Sequence, residues 1–166
     1  MLGKASNPML EQAEQVIQAN LPSNMQPALQ QVVNAGLTVM YSAQTAQARK
    51  QAIMNTKNPV TESGEGAARL ISNLFQQSNK TMPPGVILPA ACIFAFEYLD
   101  FMAKAGKVTI TPDIIANSTH AVIAAVLPLM SDQEQQQNST INPSSGILSN
   151  MKQSIKQLFN KYFNKG

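Results

Sequence analysis

The residues of this chain best placed to do chemistry are two acids in an apolar segment, Glu97 and Asp100. Two carboxyl groups held close together can divide the work of a general acid and a general base. Lys104 follows Asp100 by four residues, and in a helix that spacing brings acid and lysine together in the favourable order. A surface ion pair therefore explains this polar strip better than a catalytic pair does.

Other candidates for catalysis are weaker. His120 is the one histidine of the chain, and we expect it to lie partly exposed, since a zinc site needs three or four ligands. Cys92 lies in an apolar run, where burial disfavours the reactive thiolate. The run Ser63-Gly64-Glu65-Gly66 lacks the Lys-Ser/Thr ending of a phosphate-binding loop. We therefore expect no enzyme activity, no metal site and no cofactor.

The elements that would position these residues all read as helices. Val86–Ala105 is apolar nearly all round, which is typical of a helix at the centre of a fold, and Gly106 is predicted to end it in the left-handed conformation. Thr111 and Pro112 supply the N-cap and first position of the next helix, which Pro128 is predicted to end. We predict an all-α fold: a helical bundle around the central antiparallel hairpin of these two helices.

Three further helices are predicted earlier in the chain. Asn7-Pro8 starts a short first helix, which Leu21-Pro22 ends. A second helix, bent if it stays continuous, is predicted from about Asn24 to Asn55. Its second half has no broad apolar face, so it is expected to project from the core, and a loop within Ala46–Asn58 is the alternative. A third starts within residues 61–66, after the break at Asn58-Pro59. The methionines predicted to lie in the core are Met54, Met102 and Met130.

The chain is predicted to divide into a helical domain at residues 1–130, a flexible polar linker at 131–146 and a basic amphipathic C-terminal helix at 147–166. At helical spacing, the apolar side chains of the last segment fall on one arc, with lysines at its margins. This arc is the predicted partner-binding surface. Its apolar members are Leu148, Met151, Ile155, Leu158, Phe159 and Tyr162, and its lysines are Lys152, Lys156, Lys161 and Lys165.

The C-terminal helix is open to several interpretations. It can dock on a neighbouring protein subunit, fold back on its own domain, lie on an anionic membrane, or contact nucleic-acid phosphates. Docking on protein is favoured over membrane or nucleic-acid binding, because four lysines are few for contacts with nucleic-acid phosphates. No secretory signal is predicted, since no apolar run follows the charge in Met1-Leu2-Gly3-Lys4. No membrane-spanning segment is predicted either, because the longest uninterrupted apolar run, Val86–Phe96, is far shorter than the about 20 residues that a bilayer requires.

The charge of the chain is low and unevenly distributed. Charged residues make up 13% of the sequence, against roughly 25% in typical soluble domains. Residues 147–166 hold four lysines and no acid, so the remaining chain, with eight basic and nine acidic residues, carries a net charge of −1. A surface poor in charge repels its neighbours weakly. This composition fits a protein packed in an assembly. The alternative is that the low charge reflects only a bias in the base composition of the genome.

A series of turn and cap residues resembles a pattern in small helical virion structural proteins of tailed bacteriophages. The resemblance covers roughly Met25–Met130. It is carried by Thr81-Met82-Pro83-Pro84, Leu88-Pro89-Ala90-Ala91, Glu97, Leu99-Asp100, Ala105-Gly106 and Thr111-Pro112. It implies a non-enzymatic protein present in several copies in the virion, in contact with other copies or with portal, capsid or tail proteins. It implies no catalytic residue.

Overall fold

A computed structural model gives the backbone of residues 3–137 and the side chains of residues 3–128. Residues 3–137 contain six α-helices, a 3₁₀ turn at Ser23–Met25 and no strand, which confirms the predicted all-α class. The helices are α1 (Pro8–Asn20), α2 (Gln26–Met40), α3 (Ala43–Asn55), α4 (Pro59–Gln77), α5 (Pro84–Lys104) and α6 (Pro112–Gln137). The predicted C-terminal helix at 147–166, and residues 138–146 of the predicted linker, lie outside the described residues.

The helix ends follow the capping chemistry of the sequence. The Asn7 side chain accepts a hydrogen bond from the Met9 amide at 3.0 Å, and the Thr111 hydroxyl accepts one from Ile114 at 3.3 Å. Gly106 takes a φ of +70°, as predicted for a left-handed stop. That conformation lets the Lys107 amide donate to the Met102 carbonyl at 2.8 Å, which closes the last turn of α5.

The core is built around α5, whose apolar residues are buried on almost all sides. α4 packs against both α5 and α6, and more extensively than α5 and α6 pack against each other, so the centre is a three-helix unit rather than a hairpin alone. Gly64 of α4 lies against the backbone of Ala121 on α6, and beside this crossing the buried hydroxyls of Ser63 and Ser118 hydrogen-bond at 2.8 Å. A glycine at the crossing lets the two helices approach closely.

The predicted second helix is two helices, α2 and α3, separated at Tyr41. Ser42 restarts the chain as an N-cap, its hydroxyl accepting a hydrogen bond from the Thr45 amide at 3.3 Å. α3 buries no side chain, and Met54 is 60% exposed, so the prediction of a core position for Met54 was wrong. The physical reason is that α3 is rich in Ala, Gln and basic residues and offers no apolar stripe to bury.

The prediction that Pro128 ends the last helix of the domain was also wrong, because α6 continues through Pro128 to Gln137. A proline inside a helix removes one hydrogen bond, to the carbonyl four residues earlier. Here that residue, Ala124, is exposed to solvent, as is Pro128 itself. Water can serve the freed carbonyl, and the following residues include good helix formers. Residues 131–137 of the predicted linker are therefore helical.

In the described part of the chain, α5 is the one helix long and apolar enough to cross a membrane. No membrane-spanning segment was predicted from the sequence. Most of the apolar window of α5 is buried among the other helices. A core helix meets the same criteria of length and composition, so these two properties are weak evidence for a membrane span.

Candidate functional site

Glu97 and Asp100 lie inside the fold, not on its surface. Both side chains are almost wholly inaccessible to solvent, and a third acid, Glu14 of α1, is buried beside them. We refer to these three side chains as the acid cluster. The predicted ion pair between Asp100 and Lys104 is present at 2.6 Å, but it joins a buried carboxylate to a lysine whose side chain is 52% exposed. The two residues do form an ion pair, but the prediction that it lies at the surface was wrong for Asp100, which is buried.

The acid cluster is covered by residues Gly3–Ser6, which we call the N-terminal strap. Its backbone supplies the donors that a buried carboxylate requires. Oε1 of Glu97 accepts hydrogen bonds from the amides of Ala5, at 2.9 Å, and Lys4. The Ser6 hydroxyl makes a longer contact of 3.4 Å with Asp100. The strap is thus held chiefly by its main chain, so its attachment depends little on the identity of its side chains.

Glu97 also fixes the end of α2, through Tyr41. The Tyr41 hydroxyl donates to Oε2 of Glu97 at 2.6 Å, so each oxygen of this carboxylate has a donor. The Tyr41 ring packs on Phe101 with centroids 5.1 Å apart, and Lys4 Nζ lies 4.9 Å from the Tyr41 centroid. Burial, and then the hydrogen bond to Glu97, raise the pKa of the Tyr41 hydroxyl. Tyr41 therefore acts as a hydrogen-bond donor at neutral pH.

Glu14 is the least satisfied member of the cluster. Its Oε2 accepts a hydrogen bond from the Gly3 amide at 3.0 Å, but no described residue hydrogen-bonds to its Oε1. Burial, with a contribution from the negative charge of Glu97, raises the pKa of Glu14 to about 8. The Gly3 amide opposes this rise because it stabilises the ionised form, but the effect of burial is larger. Glu14 therefore holds a proton in the folded protein at neutral pH.

The positions of these side chains follow from local structure. Residues 97, 100 and 104 lie on one side of α5 because they are separated by three and four positions. Glu14 lies on the face of α1 that buries Leu10 and Ala13, so the helix carries its acid into the interior. Gly3 lies close against this acid, since a Cβ at residue 3 would overlap the Glu14 carboxyl group unless that side chain moved. The strap and the two helices thus fit together at one point.

The chemistry open to this arrangement is limited by what the carboxyl groups already bind. Glu97 and Asp100 accept from the strap, from Tyr41 and from Lys104, and these contacts join the strap and the end of α2 to α5. Among the described side chains, those of residues 3–128, no group of three or more His, Cys, Asp or Glu has an arrangement that could hold a metal ion. The arrangement is suited to holding the N-terminus of the domain in place.

The other predicted candidates lie apart from the acid cluster. Cys92 is buried on α5, and burial raises the pKa of its thiol to about 12, in keeping with the low reactivity expected of it. His120 lies on the exposed side of α6. Ser63 is buried at the crossing of α4 with α6. The ten predicted partner-binding residues, from Leu148 to Lys165, lie outside the described residues, so their arrangement stays a prediction.

Sequence reasoning missed Glu14, Tyr41 and the N-terminal strap as parts of this site. One signal was available: Glu14 falls between Ala13 and Ile17 on the apolar stripe of the first helix, where an acid needs a buried partner. The strap carried no comparable signal, because its main-chain amides do the bonding and every residue except proline has one.

No protein-family model matches this chain, and neither the curated proteins nor the solved structures compared with it include a significant match. The resemblance to virion proteins of tailed bacteriophages therefore stays a prediction. What the chain does must be argued from its own residues.

The raised pKa of Glu14 predicts how the stability of the domain depends on pH. The unfolded chain loses the Glu14 proton near pH 4.5, whereas the folded chain keeps it to about pH 8. Between these values the unfolded state binds fewer protons, so the free energy of unfolding should fall as the pH rises, by on the order of 5 kcal/mol in all. Urea denaturation followed by circular dichroism at pH 5, 6.5 and 8 measures this fall.

The variant Glu14→Gln should lose most of this pH dependence, because it keeps the shape of the side chain and removes the titrating group. Glu11→Gln is the matched control, since it changes the charge of the same helix three residues away at a less buried position. If Glu14→Gln shows the same fall as the unmodified chain, Glu14 is not the titrating group.

Proposed function

We propose that this chain is a non-enzymatic structural or assembly protein that acts by binding other protein subunits, and that it is a multi-copy component of a bacteriophage virion. The observation that carries the proposal is α3, a helix of 13 residues that contributes no buried side chain to the fold. An isolated helix of this length is marginal in water. Because α3 adds no buried side chain to the domain, it is better explained as a surface that binds a partner than as an element that stabilises the fold.

The contacts of α3 with the domain are few and mostly polar. The Arg49 guanidinium lies 4.8 Å from the Phe101 ring centroid and donates to the Met40 carbonyl. At the far end of α3, Lys107 donates to the Met54 carbonyl at 3.0 Å. These contacts hold the helix near the domain and leave most of its length exposed, with the Met54 side chain in solvent. Methionine is well suited to adaptable protein interfaces.

Two features of the sequence support the same proposal. The low charge of the chain reduces repulsion between neighbouring copies. At helical spacing the segment 147–166 is predicted to carry an apolar arc with lysines at its margins, so we propose that it anchors the chain to a neighbouring subunit. The virion as the location rests on the resemblance to phage structural proteins, with assembly taking place in the host cytoplasm.

The proposal that the chain is not an enzyme is supported by the contacts of its acids. Glu97, the acid with the most hydrogen bonds in the cluster, is engaged by two backbone amides and one tyrosine hydroxyl. A general base needs a lone pair available to substrate. These contacts favour a structural role for Glu97.

The double variant Leu158→Asp, Phe159→Asp tests the proposed anchor. Two charges, one at each edge of the predicted apolar arc, should abolish the assembly of the full-length chain, seen as a shift to monomer in sedimentation velocity. The melting temperature of the helical domain should change by less than about 2 °C, because the anchor is proposed to contact a neighbour and not its own domain.

The matched control is Gln153→Asp, Gln157→Asp, which adds the same charge on the opposite side of the predicted helix. The control should assemble normally. If the first variant instead lowers the stability of the domain by several kcal/mol, the segment belongs to its own core. If the unmodified chain floats with anionic liposomes and a chain ending at Gly146 does not, the segment is a membrane anchor.

A further inference from the structure

The N-terminal strap is attached to the domain by polar contacts alone, apart from one small apolar side chain. Three consecutive amides, those of Gly3, Lys4 and Ala5, donate to Glu14 and Glu97. Ala5 is the one strap residue whose side chain is buried. Water can replace each of these hydrogen bonds when the strap lifts, so the strap is the least firmly held of the segments that cover the acid cluster.

The groups around Glu14 make a second negative charge at this point unfavourable. α1 contributes Glu11 and α5 contributes Glu97 and Asp100, all of which act on Glu14 with the same sign. The cations nearby are engaged elsewhere: Lys104 pairs with Asp100, while Lys4 and Arg49 lie over the Tyr41 ring. The described neighbours of Glu14 therefore favour its neutral form.

We propose that the N-terminal strap is a pH-sensitive latch, which is released from α1 and α5 when the Glu14 carboxyl group loses its proton. The Gly3 amide stabilises an ionised Glu14, but burial has the larger and opposite effect, and Gly3 lies directly against the carboxyl group. Hydration of the ionised carboxylate at this point therefore requires the strap to move. Lifting the strap hydrates Glu14 and Glu97 together, whereas moving α1 would expose Leu10 and Ala13, which flank Glu14 in the core. Release of the strap is thus the less costly response to ionisation.

The consequence is a domain with two states of its N-terminus. Below about pH 8, where Glu14 keeps its proton, the strap is closed and the acid cluster is buried. Above that pH, the strap is free and three acids face the solvent next to the end of α2. The helical core is expected to stay folded in both states, because Ala5 is the one strap residue that contributes a side chain to it.

The test uses the full chain with a nitroxide label at Ser6→Cys. Ser6 is an exposed strap residue, and the native Cys92 is buried and does not compete for the label. Electron paramagnetic resonance spectra are recorded from pH 6 to pH 9.5 at constant ionic strength. At pH values below the midpoint, the mobile fraction of the label should rise by up to about tenfold per pH unit. The midpoint should lie near pH 8 or above. Far-UV circular dichroism should stay constant over the same range.

Glu14→Gln should keep the label immobile at every pH. Glu11→Gln should keep the response and move its midpoint to a lower pH, because it removes one of the negative charges that raise the pKa of Glu14. A label mobility that does not change with pH would overturn the proposal, and so would a full response in Glu14→Gln. Loss of helical signal in step with label mobility would also overturn it, because the whole domain would then be unfolding. The pH series of the labelled chain that keeps Glu14 is decisive even if Glu14→Gln fails to fold.

Discussion

Replacing Glu97 with leucine is expected to lower the free energy of unfolding by about 3–5 kcal/mol, since it removes one side of a buried polar network. The side chain is fully buried and accepts hydrogen bonds from the amides of Lys4 and Ala5 and from the Tyr41 hydroxyl. Leucine has a similar volume but accepts none, so these donors would lose their acceptor. Urea denaturation at pH 6.5, where Glu14 is protonated, measures the loss.

Two comparisons make the result specific. Glu97→Gln keeps one acceptor oxygen and should cost only about 1 kcal/mol. Glu65→Leu replaces an acid that is largely exposed on α4 and should change stability by less than about 0.5 kcal/mol. A Glu97→Leu protein as stable as the unmodified chain would show that this acid is not needed for the fold. A reactive role would then have to be considered again.

Replacing Phe94 with alanine is expected to cost about 3–5 kcal/mol, as large-to-small changes in a closed core do. The ring is completely buried on α5 and lies directly against Gly36 of α2, where any side chain at residue 36 would overlap it. Because a glycine occupies the facing position, no neighbouring side chain there can move into the space that the ring leaves. The loss should appear as a lower urea midpoint with an unchanged m-value, the slope of the free energy of unfolding against urea concentration.

Met54→Ala is the control for this prediction, because it removes a large apolar side chain that is 60% exposed. It should alter stability by less than about 0.5 kcal/mol. A cost for Phe94→Ala close to that of Met54→Ala would mean that α2 and α5 do not pack as described.

Much of the fold could be predicted because its signals are local. The cap residues Asn7 and Thr111 and the left-handed Gly106 act within one helical turn, and each was read correctly from the sequence. The central position of α5 followed from its composition, since a helix that is apolar all round must be covered by others. Pro128 was misread because the cost of a proline depends on whether the freed carbonyl meets water, which is a property of the folded protein.

The candidate site could be predicted only in part, because its contacts join residues far apart in the chain. Glu97 and Asp100 were recognised as a polar strip, but their strap partners come from residues more than ninety positions earlier and Tyr41 from 56 positions earlier. Nothing in the composition of Gly3–Ser6 distinguishes a segment that donates its amides to a carboxylate from an ordinary chain terminus. Glu14 was visible on an apolar face, yet the sequence alone could not say what it faces.

The central claim is that this chain works through protein contacts, with its acids committed to holding the domain together. Mass-resolved co-purification from the native source, with cross-linking, tests that claim most directly. We predict that the chain is recovered in a fixed ratio with other copies or with virion structural proteins, and that its cross-links concentrate on α3 and on residues 147–166. Recovery as a monomer, without cross-links to any protein, would contradict the claim.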